Sequence, residues 1–513
     1  MQESAANNRR IAKNTFYLYI RSLFVMLISL YTSRMILASL GFTDHGIYNL
    51  VASVVVMFNM FSATFVSATQ RFLNVEMGKG DKKRTQNVFS ASINIHIFLS
   101  IVILFLMESI GLWFLNTKLN IPADRCFAAN IVYQLSILSF IINIISIPYN
   151  AVIIANERMD VFAYVSIFEV ISKLLVVFLL PLIIFDRLIV YGFLLFVISL
   201  LVRLFYGYFC GKNFDECKYV NFKDRGLYIE MLSISGWNFL GSSASILTVS
   251  GMGIILNVFT NVIVNSAKGI SSQVENVVKQ FVDNFMMSIR PQITKSYAQG
   301  NVAYLNSLLS RGTRFSFILM SFFCFPLIFH AEYVLRLWLG NIPQYTTELV
   351  QLSLVYIMVI PFSNILDTLL LASGKIKNSQ MVLSLLQLCT LPFSCIILYI
   401  GCEPYYIYIA YILISYISLI ARIVFSIKYA NLKLSFYINH ICARIMVFTI
   451  VSISFLLLLM KTFPISNVFD IVCRCCMVCL VVLICAWLLC LNLKERLFIV
   501  SKVKKYIYNG QNR

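Results

Sequence analysis

The chain has 513 residues, of which 60% are hydrophobic and only 12% charged. A soluble domain usually carries about 25% charge, so this inventory cannot clothe a water-soluble surface. The net charge of +19 would fit nucleic-acid binding in a soluble protein, but in a membrane protein basic residues mark the cytoplasmic ends of helices.

The opening MQESAANNRRIAKN carries Arg9, Arg10 and Lys13 without a short apolar core and small-residue cleavage site. It reads as a retained cytoplasmic N-terminus rather than a signal peptide. Long apolar runs between polar punctuation then predict fourteen membrane helices. They fall near residues 15–38, 46–68, 88–112, 126–152, 161–184, 188–210, 230–256, 262–287, 312–335, 346–371, 380–400, 405–427, 437–460 and 470–491. Polar residues interrupt spans 1, 7 and 8. The loops are short, which leaves no room for a large soluble domain.

The cations test this count. With a cytoplasmic N-terminus, both termini and every second loop face the cytoplasm, and those segments hold 27 of the 41 basic residues. The opposite side holds five: Lys118, Arg125, Arg187, Arg336 and Lys461. A missed span would scramble the alternation downstream, yet the bias persists to the end of the chain.

Four short similarities recur in the same order. Arg71-Phe72-Leu73 is matched by Arg290-Pro291-Gln292, Leu112-Trp113-Phe114-Leu115-Asn116 by Leu337-Trp338-Leu339-Gly340-Asn341, and Ile147-Pro148-Tyr149 by Ile360-Pro361-Phe362. Ala155-Asn156-Glu157-Arg158-Met159 is matched by Ala372-Ser373-Gly374-Lys375-Ile376. The offsets are nearly constant, and six spans separate the copies, which predicts a parallel repeat. The expected fold is therefore an all-α polytopic membrane protein. Residues 1–225 (spans 1–6) and 226–433 (spans 7–12) form two six-helix lobes, and 434–513 add spans 13–14 and a basic cytoplasmic tail.

The stretches GLWFLNTKLNIPADRCFAAN, ISIPYNAVIIANERM and VLRLWLG followed by LLLASGKIK carry a family resemblance. The chain resembles the Wzx-type polysaccharide and O-antigen flippases of the MOP (MATE-like) superfamily over its whole length. That resemblance implies ion-coupled alternating access moving undecaprenyl-pyrophosphate-linked oligosaccharide repeat units across the bacterial inner membrane, for lipopolysaccharide or capsule synthesis. It also implies that the chain works as a monomer, that no catalysis is involved, and that spans 1, 2, 7 and 8 line a central cavity. Polysaccharide polymerases and other assembly proteins are the expected partners besides the lipid-linked substrate and the bilayer. A MATE-type exporter of organic cations is the alternative, and a membrane polymerase or ligase a third reading.

Nine cations fall inside predicted spans, where a charge costs about 2.5–3.5 kcal/mol and usually faces a cavity or a partner. Arg21 and Arg34 in span 1, and Lys268 and Lys279 in span 8, are the candidates to hold a pyrophosphate, to which arginine is well matched. The bland reading of Arg34 is snorkelling to the interface. Glu275–Lys279 and Lys279–Asp283 are i,i+4 pairs, so span 8 carries either a structural charge ladder or a site. Glu275, Asp283 and Asp367 are the coupling-ion candidates, for Na+ or H+. Asp367 has no basic residue one turn before it. Span 7 is rich in Ser and Gly around Trp237 and Asn238, which suits either close helix packing or contact with sugar. Pro148 and Pro361 occupy equivalent positions and are hinge candidates.

Other features point to ordinary roles. Cys473, Cys475, Cys476 and Cys479 lack metal-knuckle spacing, and His45, His96, His330 and His440 are scattered. No Walker A motif is present, no cofactor is expected, and the GKGDKKR loop at 78–84 fits orientation and attraction to anionic lipid.

Overall fold

The computed structural model describes residues 2–58, 69, 72–73, 76–77, 81–156, 158–221, 224–373, 375, 377–462, 468–492 and 495–497; side chains of 2–22 and 232–242, and of a few other helical residues, lie outside that description. Among the described residues every regular element is helical. Among the same residues eleven helices are long and apolar enough to cross a membrane.

The chain opens with the Gln2–Met57 helix, which is two helices meeting at Gly41 (φ 77°, ψ 177°). That backbone lies in the left-handed half of conformational space, where only glycine enters without a Cβ penalty, so the boundary between the first two apolar runs is set by one residue. The Lys82–Leu106 helix is capped by Asp81, which accepts from Arg84 N at 2.9 Å, and runs on through a π turn at Met107–Gly111. The Tyr133 hydroxyl donates to the Met107 carbonyl at 2.9 Å. It lies where a Cβ on Gly111 would stand, so this glycine is required by close approach. Cys126–Ala155, Met159–Leu179 and Arg187–Asn213 follow.

Asx caps begin the later helices. Asp224 starts Arg225–Phe259 by accepting from Leu227 N, Asn261 starts Val262–Ala298 through Ile263 N and Val264 N, and Asn301 starts Val302–Leu339 through Tyr304 N. Each side chain satisfies amides that the first helical turn leaves open. The Val302–Leu339 helix contains Pro326 and breaks at His330. A helical proline leaves the carbonyl four residues before it without its amide, and the Cys479 thiol donates to that carbonyl, Phe322 O, at 3.7 Å.

Predicted span 10 is divided into Thr346–Ile357 and Ile360–Ser373. The interruption at 358–359 falls just before Pro361, where short i→i+3 bonds (Met358 N to Val355 O, Val359 N to Tyr356 O, both 3.3 Å) replace the α pattern. Pro148, by contrast, sits inside the unbroken Cys126–Ala155 helix. The remaining helices are Lys377–Tyr399, Ile407–Ala430, Ala443–Thr462 and Val468–Cys485. Exposed faces such as Phe98, Phe105, Leu413 and Ile420 are apolar to a degree that water would not tolerate and a bilayer requires.

The chain forms two compact units. The first comprises Met1–Ile270, Pro343–Thr346 and Gln387–Ile407; the second comprises Ser271–Ile342, Thr347–Leu386 and Tyr408–Arg513. Within the first unit, Arg125 reaches Asp44 with Nε at 2.8 Å and a terminal nitrogen at 2.6 Å, and Asp186 at 2.6 and 3.1 Å. One guanidinium thus joins three helix ends. Burial would raise the Asp186 carboxyl, but Arg125 and the Leu188 and Ile189 amides hold it below the usual carboxylate value. The Asp186 arm of the latch therefore stays charged at neutral pH, and its contribution is lost only as pH falls through that lowered value. Arg125→Ala leaves two partly buried carboxylates facing each other and is expected to destabilise the unit by about 2–4 kcal/mol, read as a lower thermal midpoint in detergent; Arg125→Lys should recover only part of the loss.

Candidate functional site

Polar groups inside the membrane helices form a seam in each unit. In the first unit the helix after Gly41 packs on the first turns of Val262–Ala298. His45 Nδ1 lies 2.6 Å from Ser266 Oγ, and His45 is only 6% exposed. The Asn49 amide nitrogen sits 3.2–3.3 Å from both imidazole nitrogens and donates to the His45 carbonyl at 2.8 Å. Glycines allow the approach: a Cβ on Gly46 would overlap the Val262 carbonyl, and one on Gly269 would stand 2.6 Å from the Asn49 amide. At the end of this seam Asn120 and Asn257 bond reciprocally. Asn120 N donates to Asn257 Oδ1 (2.8 Å), Asn120 Nδ2 to Asn257 O (3.0 Å), and Asn257 Nδ2 to Asn120 O (3.2 Å).

Two predicted pyrophosphate ligands border this seam. Arg34 is exposed and Lys268 half-buried, and each is engaged by other groups of the chain. At 1.5 Å per residue, Arg34 stands about 10 Å below Gly41 and Lys268 about 9 Å below Val262. The two cations therefore occupy similar depths along their helices. Arg21 stands about 30 Å from Gly41 along the same axis; its side chain, like those of Trp237 and Asn238, lies outside the described residues. Asn265, one turn before Lys268, is 3% exposed and neither of its side-chain polar atoms has a hydrogen-bond partner. The Thr32 and Ser243 hydroxyls in the same unit share that condition. An unsatisfied buried polar group costs about 1–3 kcal/mol, so these atoms mark places where a polar ligand or water is favoured.

The second unit holds the three coupling-ion candidates Glu275, Asp283 and Asp367. Lys279 pairs with Glu275 one turn before it and lies 5.3 Å from the Tyr356 ring centroid. Ser271 Oγ donates to the Leu349 carbonyl at 3.0 Å and lies 3.4 Å from the Tyr408 hydroxyl. Further along, Asn364 Nδ2 donates to Asp283 at 3.2 Å, and Arg422 Nε donates to Asp367 at 2.8 Å. The sequence reading missed this last pair. The spacing shows only that no basic residue lies one turn before Asp367, whereas the partner comes from a helix 55 residues on. The expected Glu275–Lys279 pair is formed. Asp283 is exposed and, among the described residues, takes part in no ion pair.

Asp367→Asn should lower the thermal midpoint of the purified protein, and the exchange Asp367→Arg with Arg422→Asp should restore it. An i,j pair exposed to 19% and 30% is worth about 1 kcal/mol after screening. If the exchange restores the midpoint and leaves transport lost, the carboxylate has a role beyond pairing; restoration of both makes it structural.

No family model matches the chain, and no curated protein sequence matches it. Solved structures do. Lipid II flippase MurJ in an inward closed conformation is similar with a TM-score of 0.69 at 14% identity, covering 92% of this chain and 98% of MurJ. An inward-facing multidrug resistance MATE family transporter of the MOP superfamily is similar with a TM-score of 0.65 at 14% identity, covering 79% and 98%. An outward-facing MATE structure gives 0.60 at 14%, covering 82% and 96%. The chain thus has the helical membrane fold shared by MATE transporters and the MurJ flippase.

Proposed function

We propose that this chain is a flippase for lipid-linked oligosaccharides. It translocates undecaprenyl-pyrophosphate-linked repeat units across the bacterial inner membrane for surface polysaccharide synthesis, crossing the bilayer fourteen times with both termini in the cytoplasm. The carrying observation is the reach of the fold match. Residues 1–433 make up about 84% of the 513, so a 92% match must run into the last eighty residues, whereas matches of 79–82% need not. That reach favours likeness to the lipid II flippase over likeness to the MATE transporters, and with it the flippase reading.

The charges support the same reading over the MATE-type alternative. Arg34 and Lys268 at similar depth, with Arg21 and Lys279 deeper along the same two helices, would attract a pyrophosphate and repel an organic cation. The orphaned Asn265 amide lies beside Lys268, where it could donate to a phosphate oxygen. Trp237 and Asn238 are proposed glycan contacts. The seam of Gly46, Asn49, His45, Ser266 and Gly269 lies on the side of the sparsely charged loops, and we assign it as the outer gate, closed in this conformation. Pro361, placed just after the break at 358–359, is the better hinge candidate of the two prolines.

The carboxylates of the second unit are proposed to couple transport to Na+ or H+. Glu275 and Asp367 already hold internal cations, so an ion reaches them only when those pairs open; Asp283 with Asn364 needs no such opening. No catalytic step is required of the protein. Reconstituted vesicles containing a fluorescent undecaprenyl-pyrophosphate oligosaccharide test the assignment. Protein-dependent loss of inner-leaflet label supports it, and efflux of a cationic dye with no lipid movement supports the exporter.

A further inference from the structure

A second cationic group lies away from these seams, at the end of the second unit that carries the basic loops. The Glu495 carboxylate accepts from Arg311 Nε at 3.1 Å, from Arg314 at 3.0 and 3.3 Å, and from the Asn492 amide at 2.8 Å. Arg314 also donates to the Ser310 carbonyl and to the Cys490 carbonyl. Arg444 donates to the Asn492 side-chain oxygen, and Arg496 donates to the carbonyls of Leu491 (3.2 Å) and Leu488 (2.7 Å). Two guanidiniums therefore bind one carboxylate, Arg444 is joined to it through Asn492, and Arg496, the next residue in the chain, is bonded to carbonyls.

Their burial divides them by role. Arg314 and Glu495 are 2% and 7% exposed, with the donors of Arg314 committed to carbonyls and carboxylate. The Arg311 side chain is 50% exposed and uses one donor in this network; Arg444 likewise uses one. Glu495 balances the buried Arg314, so the excess positive charge sits on Arg311, Arg444 and Arg496, and a continuous chain of bonds through Glu495 and Asn492 joins the first two. Two π turns, Ile438–Cys442 and Ala486–Cys490, border the group. Such widened turns occur frequently at functional sites, and these present the His440 and Cys490 carbonyls to Ser310 and Arg314. The neighbouring surface is apolar: Leu434, Ile438, Met446, Leu488 and Leu497 are all exposed.

We propose that this group seats the phosphodiester of an anionic bilayer lipid. Arg311 and Arg444 would grip the phosphate, Arg314–Glu495 would hold the grip in place beneath, and the exposed apolar side chains would receive the acyl chains. Basic groups between membrane helices next to apolar surface recognise anionic headgroups by this combination, and guanidinium suits phosphate oxygens better than ammonium. The inference stands apart from the transported substrate and needs only that the chain lies in a membrane.

Native mass spectrometry of the full-length protein, released from nanodiscs of equal phosphatidylglycerol and phosphatidylethanolamine, tests it. The wild type should retain phosphatidylglycerol in preference, and Arg311→Gln with Arg444→Gln should weaken that retention by about tenfold or more. Lys212→Gln with Lys218→Gln removes the same charge elsewhere and should change nothing. Arg311→Lys provides a mild variant if the double variant fails to fold, and should weaken retention severalfold. Equal retention of the two lipids, undiminished phosphatidylglycerol in the Arg311 and Arg444 variants, or displacement by millimolar inorganic phosphate, which would mark a free-anion site, would each overturn the proposal.

Discussion

Gly46→Val is expected to abolish transport while leaving the protein in the membrane. A Cβ at this position would overlap the Val262 carbonyl, and backbone cannot move aside as a side-chain tip can. Overpacking costs about 1–3 kcal/mol, enough to depopulate a closed gate by roughly five- to a hundredfold. The protein would then rest with its outer gate open. A cysteine in place of Ser266 should react with a membrane-impermeant thiol reagent added outside in the Gly46→Val background and be shielded in the otherwise unaltered protein. Gly269→Ala meets only the Asn49 amide, so its effect should be milder. Equal shielding in both backgrounds would show that this seam is not a gate.

Charge reversal at the pyrophosphate candidates should be as severe. Arg34→Glu or Lys268→Glu replaces an attraction with a repulsion where a doubly or triply charged group would pass. Losing one hydrogen bond to a charged group costs about 1.5–3 kcal/mol, roughly ten- to a hundredfold in affinity, and reversal should exceed that. Surface polymer should disappear with normal protein abundance. Arg34→Lys keeps the charge but loses the planar fork and should retain partial function, whereas a role limited to snorkelling would leave every one of these variants active. Normal polymer from both reversals would remove the cationic cavity from the mechanism.

Much of the architecture was legible because membrane helices announce themselves. Apolar runs of bilayer length need no tertiary information, and Asp81, Asp224, Asn261 and Asn301 mark helix starts by chemistry that acts within three residues. The break between the first two runs falls at Gly41, inside the gap between the predicted spans 15–38 and 46–68. Spans 7 and 8 were the weakest in the sequence because serines, amides and charges interrupt them, and the eleven helices apolar enough to cross do not include them.

The candidate site was legible only where its logic is local. Glu275–Lys279 follows from helical spacing. Asp367–Arg422, Asn120–Asn257 and Arg311–Arg314–Glu495 join residues 55 to 184 positions apart, and no local pattern encodes them. Charge counting cannot tell a solvated cation from one such as Arg314, buried at 2% exposure. His45 was set aside for lacking a histidine partner, when its partners are a serine and an asparagine.

The central claim is that the chain moves a lipid-linked oligosaccharide rather than a soluble cation. The most direct measurement is the leaflet in which undecaprenyl-pyrophosphate-linked repeat units lie when the protein is depleted, read by mass spectrometry after treating intact spheroplasts with an impermeant reagent that modifies the glycan. The flippase account predicts that the units accumulate and stay unmodified, sequestered on the cytoplasmic leaflet, as the surface polymer disappears. Modified units already on the outer leaflet, or unchanged lipid with new sensitivity to cationic dyes, would contradict it.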